Sequence, residues 1–268
     1  MAKLNPDFYT IWNYRKEYLV LLLDKDDELQ FEWLLMYRLE ENKMKCLNEE
    51  LLLTEEIIRN RDPKCYSVWH HRRWLFQKWF IYFDVIDRRP SLLTERELGL
   101  CEKMLQADQR NFHCWNHWML VTRQMEIPLD ALLGFTMNRI NENSSNYSAW
   151  HFRGELLHSM LIRSQDSEKS INTIKDGLYN LYLWGLELEL NLNALYTECD
   201  DQSSWYYMRT LFYIAIELAQ KGMIEKDVVS ALFATRLNEL SELMEIAPDC
   251  VYGNVFITEL KEMSLEIA

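Results

Sequence analysis

Glycine and proline are scarce. The 268 residues include 7 Gly and 5 Pro, against a background of roughly one residue in eight for the pair. Sandwiches, barrels and glycine-looped nucleotide folds place turn residues every ten residues or so, so an all-β fold is excluded and an all-α chain is expected. Long apolar runs are missing too. The longest, such as Tyr18–Leu23, fall far short of the roughly 18 residues that span a bilayer. The opening Met-Ala-Lys-Leu-Asn-Pro-Asp holds no apolar stretch before a small-residue cleavage site, so no signal peptide is expected. There is no Cys-x-x-Cys pair. Cys46, Cys65, Cys101, Cys114, Cys199 and Cys250 are scattered and read as free thiols of a reducing, cytoplasmic protein. Basic charge is in deficit, 29 Lys and Arg against 42 Asp and Glu for a net −13. That is the wrong sign for gripping a nucleic-acid backbone and suits solubility or a basic partner. No G-x-S-x-G, Walker or G-x-G-x-x-G pattern is present, so catalysis by this chain alone is not expected.

What is abundant is tryptophan, ten residues of it, and aligning the chain on Trp exposes a repeat. Asn5-Pro6-Asp7-Phe8-Tyr9-Thr10-Ile11-Trp12-Asn13-Tyr14-Arg15 recurs as Asp62-Pro63-Lys64-Cys65-Tyr66-Ser67-Val68-Trp69-His70-His71-Arg72. Further copies centre on Trp115 and Trp150, a weaker one on Trp205, and a sixth near Pro248 has lost the Trp. The five tryptophans are 57, 46, 35 and 55 residues apart, a spacing that predicts stacked helical hairpins with loops of unequal length. Within a copy, Asn or Asp seven residues before the Trp is expected to cap a helix, with Pro6 and Pro63 in its first turn. The aromatic, Trp and Arg at i, i+3 and i+6 then share a face. Aromatic and Trp are expected to pack toward the next hairpin, and Arg15, Arg72 and Arg153 to need a carboxylate or carbonyl on a neighbouring helix.

The other arms of the hairpins are the apolar-periodic stretches 49–59, 94–107, 129–140, 178–196 and 228–246. Residues 24–29, 84–91 and 164–176 are polar and read as loops. No linker divides the chain, which reads as one domain over 1–268. Only four residues precede Asn5, so the first Trp helix has no arm before it. Either a helix is missing from this sequence or a partner covers that face.

Pro, aromatic, Trp and Arg at these offsets resemble the protein prenyltransferase α-subunit repeat over most of the chain. Asn5-Pro6-Asp7-Phe8, Trp69-His70-His71-Arg72, the run from Arg110 to Trp115 and that from Ser145 to His151 are similar to the Rab geranylgeranyltransferase (type II) branch. The resemblance implies an α-α superhelix, a crescent of hairpins wrapped around a β subunit. That subunit would hold the catalytic Zn2+, the lipid pocket and most contacts to geranylgeranyl diphosphate. It also implies a Rab GTPase substrate presented by an escort protein. In such enzymes a Lys five residues before one Trp reaches the prenyl diphosphate, and its match here is Lys64. Tyr66 matches an aromatic hydroxyl at the same mouth. Phe112 and His113 match positions lining the shared cleft, and Arg110 matches a basic position without a defined role. Enzymes that read a CaaX tail carry Gln two residues before the second Trp, where this chain has Ser67, too short for that reach. Trp118 and Met208 stand where the family pattern has Arg.

Plainer readings stand beside these. Lys64 as a bare feature is a solvated lysine at a helix start, where the helix dipole disfavours a cation unless an anion arrives. His113 and His117, four residues apart, lack the third ligand of a metal site, and none is expected on this chain. His70 and His71 are adjacent and point to different sides. A CaaX farnesyl- or geranylgeranyltransferase α subunit, or a helical-repeat adaptor without chemistry, are the competing functions. Tetratricopeptide adaptors, however, keep a regular 34-residue period.

Overall fold

The computed structural model describes residues 2–23, 33–83, 92–125, 127–163 and 173–267, and every regular element in them is an α-helix. In order these are α1 (Tyr9–Leu23), α2 (Trp33–Asn60), α3 (Tyr66–Phe83), α4 (Leu92–Ala107), α5 (Phe112–Gln124) and α6 (Leu129–Glu142). They continue as α7 (Tyr147–Arg163), α8 (Thr173–Thr197), α9 (Gln202–Gln220), α10 (Lys226–Ile246) and α11 (Val251–Ile267). The all-α class expected from scarce breakers is therefore what folds. Among the described residues no helix is long and apolar enough to cross a membrane.

The chain forms two compact units, Met1–Ile127 and Pro128–Ala268. In the first, α2 packs on α3 and α4 on α5, while α1, α3 and α5 neighbour one another in turn. Leu19, Leu47, Leu51, Leu75, Phe76 and Val121 are the centre of its core. In the second, α6 packs on α7, α8 on α9 and α10 on α11, with α9 in contact with both α7 and α11. The even-numbered helices are the arms read from apolar periodicity. Two of them run further than that reading: α2 begins at Trp33, and α8 begins at Thr173, so 173–176 are helical where a loop was expected. Expected loops 24–29 and 84–91, and the 164–172 part of the third, lie outside the described residues.

The odd-numbered helices from α1 to α9 each start three residues before a repeat Trp. The expected cap seven residues before the Trp is thus displaced. The true N-cap is four residues before it: Asn111 accepts from the Cys114 N–H, Asn146 from the Ala149 N–H and Asp201 from the Ser203 N–H. The earlier Asn or Asp instead closes a tight turn. Asp62, Asp108 and Asn143 each accept the N–H two residues on, the side-chain turn for which these residues are favoured. That turn exposes the carbonyl six residues before the Trp, and the indole N–H takes it. Trp12 donates to Pro6 O, Trp69 to Pro63 O, Trp115 to Gln109 O, Trp150 to Ser144 O and Trp205 to Cys199 O, at 2.6–2.9 Å. The sixth copy keeps the bond without the indole, because Asn254 Nδ2 donates to Pro248 O at 3.0 Å. Each Trp is 3% exposed or less.

The aromatic three residues before the Trp is not packed away as expected. Tyr9, Tyr66, Phe112 and Tyr147 are exposed. Three residues of helix turn back by about 60°, so the aromatic and the Arg flank the Trp about 60° to either side. The Arg flank faces the arms and the aromatic flank faces solvent.

The Arg expectation holds, with a partner set that recurs. Arg72 makes a bidentate pair with Glu97 of α4, both bonds 2.7 Å, and its remaining nitrogen donates to Leu51 O and Thr54 Oγ1 of α2. Arg153 repeats this with Glu187 of α8 and with Leu133 O and Thr136 Oγ1 of α6. Arg15 pairs with Glu50 of α2. Each Arg thus fastens its helix to the arm that follows, and Arg72 and Arg153 also to the arm before. Each Glu is shared with the residue two past the next Trp: Glu50 with His71, Glu97 with His117, and Glu187 with Tyr207. Where Arg would fall in the fifth repeat stands Met208, and the adjacent Arg209 pairs with Glu259 of α11 instead.

Candidate functional site

The five residues singled out in the sequence come together at the N-terminal ends of α3 and α5 in the first unit. The Asx turns described above hold the chain there. Asn111, besides capping α5, donates through Nδ2 to Pro63 O at 2.8 Å, so the turn before α5 is tied to the turn before α3. That tie sets Lys64 next to Asp108, with Lys64 Nζ 2.7 Å from Asp108 Oδ2. The other Asp108 oxygen accepts the Arg110 N–H at 3.1 Å. The Lys64 hydrogen bond, against a smaller opposing effect of burial, holds Asp108 below the usual carboxylate range.

Aromatic rings adjoin the charges. The Tyr66 ring stacks on His70 with centroids 6.0 Å apart and meets His113 edge-on at 5.7 Å. Phe112 lies 3.9 Å from His113. Tyr66 and Phe112 are more than half exposed, whereas His113 is buried beneath them. Burial, joined by Arg73 and Lys64 and opposed by Asp62, lowers the His113 pKa, so the ring is neutral at pH 7. His117, one turn further along α5, is fully buried and engaged by Glu97.

Ser67 lies in the first turn of α3 and is 7% exposed. Its hydroxyl is short and covered. The surface as built therefore offers an exposed ammonium, an exposed phenol and two aromatic faces over a neutral imidazole. Such a set is chemically suited to an anion joined to an apolar group. It holds no nucleophile–base pair. Asp108 went unrecognised as the partner of Lys64 in the sequence, because its place in the motif marks it as a helix cap. The Glu partners of the Arg residues carried a faint signal: Glu50, Glu97 and Glu187 stand 19, 18 and 18 residues before Trp69, Trp115 and Trp205.

Comparison with known proteins agrees with the repeat. The family described as "Protein prenyltransferase alpha subunit repeat" matches residues 47–79, 94–125 and 129–160, each an arm with the Trp helix that follows. Relatives called geranylgeranyl transferase type-2 subunit alpha include one from Bos taurus, 38% identical over 77% of this chain and 31% of its own length. One from Dictyostelium discoideum is 34% identical over 92% of this chain and 66% of its own. A third, from Candida albicans, is 31% identical over 76% of this chain and 56% of its own. The chain spans about a third of the length of the mammalian relatives it matches.

Proposed function

Because the chain belongs to the protein prenyltransferase α-subunit family, we propose that it is the α subunit of a Rab geranylgeranyltransferase. It works in the cytoplasm as a heterodimer with a β subunit. Its substrates are geranylgeranyl diphosphate and the C-terminal cysteines of a Rab GTPase presented by an escort protein. The observation that carries this reading is the grouping of Lys64, Tyr66, Arg110, Phe112 and His113 on one face of the first unit.

The chemistry this chain contributes is charge stabilisation. As a thiolate displaces the diphosphate from the prenyl carbon, negative charge grows on the leaving oxygens, and the Lys64 ammonium meets it there. Asp108 must release Lys64 for this, and its hold on the Arg110 N–H keeps it from following. The Tyr66 hydroxyl is a second donor at the same mouth. Phe112 and the neutral His113 give the start of the prenyl chain an uncharged wall. Asp108 is engaged by Lys64 and His113 packs against rings, and no metal is assigned to these residues. The zinc of such enzymes is assigned to the β subunit, where it supplies Lewis-acid activation of the substrate thiol. The covered, short Ser67 favours the Rab over the CaaX branch.

The test is co-purification from source cells with mass spectrometry and metal analysis. A single stoichiometric zinc-bearing partner, and transfer of geranylgeranyl to a Rab only with escort protein present, is the expected result. A chain that travels alone, or with a changing set of zinc-free clients, overturns the reading. Transfer to a free CaaX peptide moves it to the other branch.

A further inference from the structure

The hairpin register that ties the turn before α5 to the turn before α3 recurs in the second unit, with different chemistry. There Cys250 caps α11 and accepts the Gly253 N–H at 3.3 Å, while its thiol donates to the Cys199 carbonyl at 3.0 Å. The Cys199 and Cys250 sulfurs and a carboxylate oxygen of Asp200 all lie within 4.8 Å of one another. Cys250 is 2% exposed, Cys199 is half-buried and Asp200 faces solvent.

From this arrangement we propose that Cys199, Asp200 and Cys250 bind a soft divalent cation of the zinc type, clamping the turn before α9 to the turn before α11. The donor set suits that ion. Two thiolates and one carboxylate are ligands zinc accepts, with a water completing four. Ligands on bonds of 2.0–2.3 Å in a tetrahedron sit roughly 3.4–3.8 Å apart, so the present spacing closes by side-chain rotation with the turns in place. Each thiol loses its proton to solvent as its sulfur binds, two protons for one cation. The Gly253 N–H stays on the Cys250 sulfur and holds it at the start of α11. The inference does not depend on the enzyme assignment above.

An internal control is built into the chain. Asp7, Asp62 and Cys65 gather in the turns before α1 and α3, again within 4.8 Å. That group has a single thiol, which donates to Asp7 at 3.1 Å. Burial first, and then Asp7, push the Cys65 thiol up to about 12. Its geometry is similar, but it offers one sulfur and two hard carboxylates where the other group offers two sulfurs and one carboxylate.

The test uses the full 268-residue chain in the assembly in which it purifies, kept reduced with a phosphine and stripped by chelator. It is then titrated with Cd2+, read by thiolate charge-transfer absorbance, and with Zn2+ in competition. The wild type is expected to take one more cation per chain than C250S, with absorbance for two Cd–S bonds. Zn2+ should raise its thermal midpoint and leave that of C250S unmoved. Serine is itself a strong N-cap, so α11 stays capped, and equal metal-free midpoints verify this. C199S is expected to behave as C250S does, and C65S as wild type. Reading the difference between variants cancels metal held by any other subunit. Equal uptake by wild type and both C199S and C250S, or loss of the cation in C65S, overturns the proposal.

Discussion

Arg72, Glu97 and His117 show most plainly what a single buried residue does here, since all three are fully buried. Burial alone would raise the Glu97 pKa, but Arg72 and His117 prevail and hold it at about 2. His117 is itself lowered by burial, against the pull of Glu97, so it donates one N–H as a neutral ring and the trio is uncharged overall. Its other ring nitrogen has no partner, a smaller cost for a lone pair than for an N–H. The Arg side of this trio was legible in the sequence, since a half-buried guanidinium demands an acceptor. The His side was not, because a His two residues past a Trp carries no pattern of its own. Removing one member strands the others, so Glu97→Ala is expected to cost about 3–5 kcal/mol. The sequence suggests the alternative: at the equivalent positions between the third and fourth repeats stand Trp118, Leu132 and Phe152, all apolar. The triple variant Arg72→Met, Glu97→Leu, His117→Phe should therefore cost less than Glu97→Ala alone. Urea midpoints of the two decide it, and the reverse order refutes the argument. The pH dependence has a definite sign. His71 and His117 are held below 6.5 by burial, so their stabilisation is complete above about pH 6.5 and lost as pH falls. That of Glu97 is lost in turn from about 4.5 toward 2. The urea midpoint should fall from pH 8 to pH 5, and by less in His117→Gln, whose amide N–H cannot titrate. A flat profile would contradict this.

At the scale of the helix, the sequence located every Trp helix and misplaced its start by three residues. The reason is physical: Asn or Asp followed by Pro looks like a cap with Pro in the first turn, and in this chain it is a turn that precedes the cap. What the pattern could not reveal is that the turn exists to present a carbonyl to the indole N–H, a bond visible only once the chain is folded. The outward aromatics were misjudged for a related reason. The offsets i, i+3 and i+6 span about 120° of the helix, enough for one edge to be buried and the other bare. Two caps of the same type allow a measured comparison. Asn111 and Asn146 both accept an N–H from their own helix, but only Asn111 also donates to the preceding turn, through Pro63 O. The Asn146 amide nitrogen is buried and without a partner. Both changes to Ala lose about 1 kcal/mol of capping. Asn111→Ala should cost about 0.5–1.5 kcal/mol more, the worth of the additional hydrogen bond. Denaturant unfolding of the two variants checks this, and equal losses would mean that the tie between turns adds nothing.

Over the whole molecule, fold and function draw on separate residues, and this decides how much of each was readable. The fold rests on large buried groups that recur, so five repeat tryptophans and a few Arg residues were enough to reveal the hairpins. The proposed site rests on Lys64, whose side chain is 61% exposed and which on a chain of net charge −13 looks like any other solvated lysine. Only the family resemblance marked it out. The same exposure makes a strong prediction about separability. The Lys64–Asp108 pair is a surface ion pair and contributes about 0–1 kcal/mol to stability. Lys64→Ala should therefore leave the thermal midpoint and subunit assembly nearly unchanged while slowing single-turnover prenyl transfer about tenfold to hundredfold, as loss of a charge-stabilising donor does. Asp108→Asn is expected to do the opposite to binding. It removes the carboxylate that competes for Lys64 yet keeps an oxygen for the Arg110 N–H, so geranylgeranyl diphosphate should bind more tightly. An unchanged single-turnover rate in Lys64→Ala removes the lysine from the chemistry. A slowed rate with unchanged diphosphate affinity in Asp108→Asn keeps Lys64 and discards the competition.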